Sequence, residues 1–188
     1  MSGFAMSKRV AILSAAAIGA MMLSASVVVP AMAKEKTVMV GGAAMYPSKT
    51  IVDNAVHSRD HTTLVAAVKA AGLVETLSSA GPFTVFAPTN AAFGKLPKGT
   101  VESLVKPENK ATLTKILTYH VVPGRLEASD LTDGKMLTTV EGEQLTVKNS
   151  GGVISIVDAK GDVSRVTIPN VNQSNGVIHV VNTVLLPG

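Results

Sequence analysis

Residues Gly81–Pro97 read GPFTVFAPTNAAFGKLP, and this stretch holds three of the chain's four phenylalanines and three of its nine prolines. Phe83 to Ala87 has strand character, and Pro88 stops it because proline cannot donate to a ladder. Thr89 or Asn90 can then cap a helix over Asn90–Leu96 by accepting a backbone N–H. Phe83, Phe86 and Phe93 would each bury a large apolar area and pin this strand–helix corner to a core. The alternative makes Pro88, Thr89 and Asn90 part of an exposed contact surface. A phenylalanine cluster beside a cap is more often packing.

Upstream of the corner the pattern is helical. Ile51, Val52, Ala55 and Val56 follow a start at Pro47-Ser48. Leu64, Val65, Ala67, Val68 and Ala71 follow a second start at Thr62 or Thr63, with Gly72 placed as its C-terminal stop. Leu73–Leu77 reads as a short amphipathic turn, and Thr100–Val105 and Pro107–Thr118 as further helices. From Tyr119 the period changes to two. Strands are expected at 119–122, 136–140, 144–148, 153–158, 163–168 and 177–186, separated by turn signals such as Asp133-Gly134 and Asn149-Ser150-Gly151-Gly152. Helices first and a meander second indicate an α+β domain. In the last segment Ile178, Val180, Asn182, Val184 and Leu186 share one face, with Val177, His179, Val181, Thr183 and Leu185 on the other. Both faces are largely apolar, so this strand is expected in mid-sheet, with His179 and Asn182 inside.

The first 33 residues have the layout of a secretory signal peptide. Lys8 and Arg9 precede an apolar run from Val10 to Val29, and Ala31-Met32-Ala33 offers small residues for cleavage. An uncleaved membrane anchor is the alternative, because the run approaches spanning length. The expected organisation is a signal at 1–33, a flexible lead-in at 34–45 and one domain at 46–187. Of seventeen basic residues two leave with the signal, and none of the thirteen acidic ones does, so the mature chain carries a net charge of +2. With its cations scattered, nucleic acid is not an expected partner. The chain has no cysteine, which excludes disulfides and a lipidated-cysteine anchor. The expectation is an exported protein, periplasmic, extracellular or surface-associated, with no stable membrane anchor after cleavage.

TVFAPTNAAFGKLP (84–97) and NGVIHVVNTVLLP (175–187) resemble the two signature boxes of the fasciclin (FAS1) domain family. Between them ILTYHVVPGRLEASDL (116–131) is similar to the family's Tyr-His segment, and TIVDNAVHSRDHTTLVAAVKAAGLVETL (50–77) to its first helices. The resemblance spans the expected domain in the family's order. It implies a wedge with a seven-stranded, two-sheet β core and packed helices. It also implies an extracellular adhesion or matrix role without cofactor or general catalytic activity. Integrin contact in animal members is attributed to positions that correspond to Tyr119 and His120, and to Asp130 with Leu131 in place of isoleucine.

Each candidate also has a structural reading. Alternation sends Tyr119 and His120 to opposite faces, one buried and one nearer the surface. A buried histidine, here His120 or His179, ordinarily pairs with a backbone group or carboxylate. Asp130 can cap the turn after Ser129. Asp53, His57 and His61 recur every four residues, a metal-like face on a continuous helix, but Ser58-Arg59-Asp60 reads as a break, so no metal site is expected. The chain has no Gly-x-Ser-x-Gly elbow, His-Glu-x-x-His motif, phosphate loop or dinucleotide glycine pattern. The leading expectation is a non-enzymatic adhesion module, a monomer or weak dimer, that meets a surface protein or polysaccharide. The alternative is a carrier that holds a small apolar ligand between helices and sheet, against which the low aromatic content counts.

Overall fold

The computed structural model describes residues 36–188, so the expected signal segment lies outside the described residues. It opens with a two-stranded hairpin, β1 (Val38–Val40) and β2 (Ala43–Met45). Val40 lies opposite Ala43, leaving a two-residue turn at Gly41-Gly42, where φ is 57° and 78°. Positive φ at both centres suits the twist of a tight hairpin and is readily reached by glycine. Val40 and Met45 are buried in the core. The expectation of a flexible lead-in over 34–45 is therefore corrected, and the domain begins with this hairpin.

Three helices follow: α1 (Ile51–Ala55), α2 (Thr62–Ala71) and α3 (Val74–Ser78). Thr50 starts α1 with a reciprocal cap, its hydroxyl accepting from the Asp53 N–H while the Asp53 carboxylate accepts from the Thr50 N–H. Strand β3 (Phe83–Pro88) leads into a single-turn helix, α4 (Asn90–Phe93), shorter than expected, and then α5 (Thr100–Leu104) and α6 (Lys110–Tyr119). Beyond α6 come β4 (Val121–Pro123), β5 (Met136–Thr138), β6 (Gln144–Ser150), β7 (Val153–Val157), β8 (Val163–Gln173) and β9 (Gly176–Val181).

The seven strands from β3 onward form one hydrogen-bonded sheet in the order β4-β3-β9-β8-β7-β6-β5. All pairs are antiparallel except β3 with β9, which run parallel from Phe83 opposite Gly176 to Pro88 opposite Val181. The eleven-residue β8 carries register shifts between Val166 and Ile168 and between Ile168 and Val171. Such bulges bend a strand, and here they let β8 serve both halves of the sheet. The Val140 N–H donates to the Val121 carbonyl at 2.8 Å, bringing the chain just past β5 back to β4, so the sheet nearly closes on itself.

The sheet separates two apolar clusters. One lies between the helices and the sheet and includes Ile51, Val68, Val85, Phe93 and Ile178. The other fills the interior of the folded sheet and includes Phe86, Tyr119, Leu131, Ile156 and Leu185. Every residue of β9 is buried, as its two apolar faces predict.

Candidate functional site

The aromatic corner splits between the two clusters. Phe86 points into the sheet interior and is fully buried, its ring stacked on that of His179 at 5.7 Å and 27°. Phe93 and the half-buried Phe83 pack on the helix side. Pro88 is buried, and Thr89 caps α4, its hydroxyl accepting from the Ala92 N–H. Asn90 does something the sequence did not reveal. Its side-chain oxygen accepts from the Thr63 N–H at 3.0 Å, and its amide nitrogen donates to the Arg59 carbonyl at 2.8 Å. It thereby caps α2, twenty-seven residues upstream, and fastens the break between α1 and α2 to the end of β3.

Tyr119 and His120 are both buried, which corrects the expectation that one would lie nearer the surface. The residues belong to the end of α6, where successive side chains diverge by about 100° rather than 180°, so both can face inward. The Tyr119 hydroxyl donates to the Gln144 carbonyl and accepts from the Ala159 N–H. The His120 ring is held between two backbone groups. Its Nδ1–H donates to the Ile116 carbonyl at 2.8 Å, and Nε2 accepts from the Leu185 N–H at 3.0 Å. This fixes the neutral tautomer.

Leu131 is fully buried, and Asp130 is exposed, its carboxylate accepting from the Glu127 N–H across a single 3-10 turn. The seven candidate contact residues therefore do not share a surface. His179 is buried as expected, donating from Nε2 to the Leu126 carbonyl at 2.8 Å. Asn182 is half-buried, just beyond β9, where its side-chain oxygen accepts from the Arg165 N–H.

Burial lowers the pKa of His61, His120 and His179, and that of His120 falls to about 4. The unfolded chain binds a proton at this position near pH 6.5, whereas the folded chain does so only near pH 4. Stability is thus full above pH 6.5 and falls as the pH drops from 6.5 towards 4, by about 3 kcal/mol from His120 alone. The urea midpoint at pH 4.5 should lie well below that at pH 7.5. Equal midpoints, or a His120 ring that titrates near 6.5 by NMR, would contradict this.

The metal-like trio does not assemble. Asp53 belongs to the α1 cap, exposed His57 turns Nδ1 to the Asp53 carbonyl, and His61 is buried. No group of three or more potential metal-ligating side chains occurs among the described residues. His61 Nδ1 lies 2.9 Å from the Ser58 hydroxyl, but Nε2 has no hydrogen-bond partner. The pair lacks the carboxylate that would orient a nucleophile's base.

Three buried amides escaped the sequence reading. Asn175 accepts from the Ile51 N–H at 3.0 Å and donates to the carbonyls of Leu77 and Ser79, tying α1 and α3 to the turn before β9. Asn54 clasps Tyr46 through both its oxygen and its nitrogen and also bonds Gln173. Their signal in sequence is that of ordinary loop and helix polar residues.

Between the helices and the sheet lies an apolar cavity of about 50 Å³. Met45, Ile51, Val68, Val85 and Ile178 are among the residues that line it, and so is His61. The outer face of the sheet offers a different kind of surface. Met136, Thr146, Val157 and Val163 stand in register across β5, β6, β7 and β8, with Met136 and Val163 more than half exposed. Exposed Lys148 and Arg165 flank this row on the same face.

Comparison with known proteins agrees with this architecture. The fasciclin domain family profile matches residues 59–187. The chain is 52% identical to Protein sll1483 of Synechocystis over 81% of this chain and 82% of that protein. It is 37% identical to the immunogenic protein MPB70 of Mycobacterium bovis, over 67% of this chain and 63% of that one. Similarity to the pig transforming growth factor-beta-induced protein ig-h3 is 35% over 75% of this chain, which spans a fifth of that longer protein. The fold matches a FAS1 domain pair from the insect cell adhesion molecule Fasciclin I with a TM-score of 0.68 and 19% identity, over 75% of this chain and 52% of that one. The chain belongs to the fasciclin domain family.

Proposed function

We propose that this protein is an exported, non-enzymatic surface-interaction module of the adhesion type, which meets a surface protein or polysaccharide through the outer face of β5–β8. The observation that carries this reading is the in-register row Met136–Thr146–Val157–Val163, which crosses four strands and is apolar apart from Thr146. Apolar side chains grouped on an otherwise polar face favour contact with a partner. Lys148 and Arg165 beside it suit a partner with acidic groups. The adhesion molecule Fasciclin I, which shares the fold, supports the same reading. The test uses protein immobilised on beads and cells of the producing strain. A Met136→Asp/Val163→Asp variant should lose at least about tenfold in capture with an unchanged melting temperature, because both side chains are exposed. Undiminished capture by the variant would remove the face from consideration.

A second reading, carriage of a small apolar ligand, is favoured by the cavity between the helices and the sheet. Its aliphatic lining answers the objection from low aromatic content, since Val, Leu, Ile and Met side chains supply the apolar wall.

A further inference from the structure

The cavity between α1, α2, hairpin β1–β2 and the sheet combines two features that ordinary packing does not explain. Its volume of about 50 Å³ exceeds the ~10–15 Å³ that one water requires. A water would also need two to four polar partners, and the wall is apolar apart from His61, the Lys69 side chain and His120, whose two ring nitrogens are already bonded to backbone groups. His61 Nε2 is the buried side-chain polar atom that lacks a hydrogen bond among the described residues. Leaving such a group unpaired in an apolar interior forfeits its solvation with nothing in return.

The proton on this ring can be placed. The Ala87 carbonyl opposes the lowering of the His61 pKa by burial, but no hydrogen bond to Nε2 forms. The buried Ser58 hydroxyl, 2.9 Å from Nδ1, has no other side-chain hydrogen bond among the described residues, so it donates to Nδ1 and the ring carries its proton on Nε2. Nε2–H is then a donor without an acceptor on the cavity wall. The ring is held firmly, because the hairpin turn closes over Ser58. The Gly41 carbonyl accepts from the Arg59 N–H at 3.2 Å, and a Cβ at Gly41 would stand 2.4 Å from the Ser58 hydroxyl oxygen. Half-buried Val52 and Val65 and exposed Lys69 also line the cavity, which gives it an edge towards solvent between α1 and α2.

We propose that this cavity binds a compact apolar molecule bearing one hydrogen-bond acceptor, a carbonyl or hydroxyl oxygen, which takes the Nε2–H of His61. The proposal rests on the carrier reading and adds to it the polar anchor and the ligand class. The aliphatic wall holds the body of the ligand, and the single donor orients it. A ligand without an acceptor fills the same space but leaves the donor unpaired.

The test uses isotope-labelled protein and three probes: xenon, methylenecyclopentane and cyclopentanone, the last two alike in shape but differing in the acceptor oxygen. All three should shift the Val68, Val85 and Ile178 resonances. Cyclopentanone alone should move the His61 Nε2 nitrogen signal and slow exchange of its proton. His61→Leu should weaken cyclopentanone by about tenfold and leave methylenecyclopentane within about twofold. Binding of the hydrocarbon also reports that the variant is folded. If no probe shifts the cavity resonances, the carrier reading itself falls. If both rings bind but His61→Leu affects them equally, the cavity stands and the anchor is refuted. Entry of xenon alone would mark a void that admits atoms but no organic ligand, and that too overturns the proposal.

Discussion

Phe86→Ala should lower the free energy of unfolding by about 4 kcal/mol, within the usual range of about 3–5 kcal/mol for removing a buried phenylalanine. Phe86 is fully buried in mid-sheet, between β9 on one side and β4 on the other. Its ring stacks on His179, and the residue also borders the cavity on the helix side. Neighbours on a sheet cannot close inward as loop residues can, so the void stays open. The readout is a urea titration, in which the midpoint falls and the slope is retained. A drop in melting temperature of about 8–16 °C should accompany it for a domain of this size. Unchanged melting with lost binding would instead make this residue part of a contact surface.

Gly176→Ala should cost about 4 kcal/mol, beyond the ~1–3 kcal/mol usual for overpacking, because backbone rather than a side chain stands in the way. A Cβ here would lie 2.0 Å from the Phe83 carbonyl oxygen and 3.0 Å from its nitrogen. Phe83 and Gly176 are opposed at the start of the parallel β3–β9 pair, so the strands must part for the methyl to fit. Gly94→Ala, in the other signature box, is the matching control. A Cβ there meets nothing nearer than the Ala91 carbonyl at 3.4 Å, an ordinary contact, and its unfolding free energy should change by less than about 0.5 kcal/mol. Equal effects of the two substitutions in chemical denaturation would refute the close-approach argument.

The large features were legible because they repeat. β9 announces its central place through two apolar faces, and Pro88 and Thr89 mark the turn from β3 into α4. What escaped is short or brought together from afar. Three-residue strands hold too few residues for a period to show, so Val38–Val40 and Ala43–Met45 passed as a lead-in. Gly41-Gly42 was the available signal, a tight-turn pair between two apolar triplets. Tyr119 and His120 were misdirected because the helix runs one residue further, to Tyr119, and the strand begins two residues later than its pattern suggested, at Val121. Asn90 and Asn175 act on partners 27 and 124 residues away, and no local pattern records such a partnership. The cavity has the same origin, since hairpin, helices and sheet each supply part of its wall.

The position of β9 has a consequence for how the chain becomes a domain. The strand that sits between β3 and β8 is the last to be made of the nine among the described residues. Until residues 176–181 emerge, β3 has no parallel neighbour and the two halves of the sheet have no seam. A chain that appears N-terminus first therefore has no strand between β3 and β8 until those residues arrive. Joining contacts of such long sequence separation is slow, and it comes as one late event. Such a domain stays open until residues 176–181 are available, and then locks.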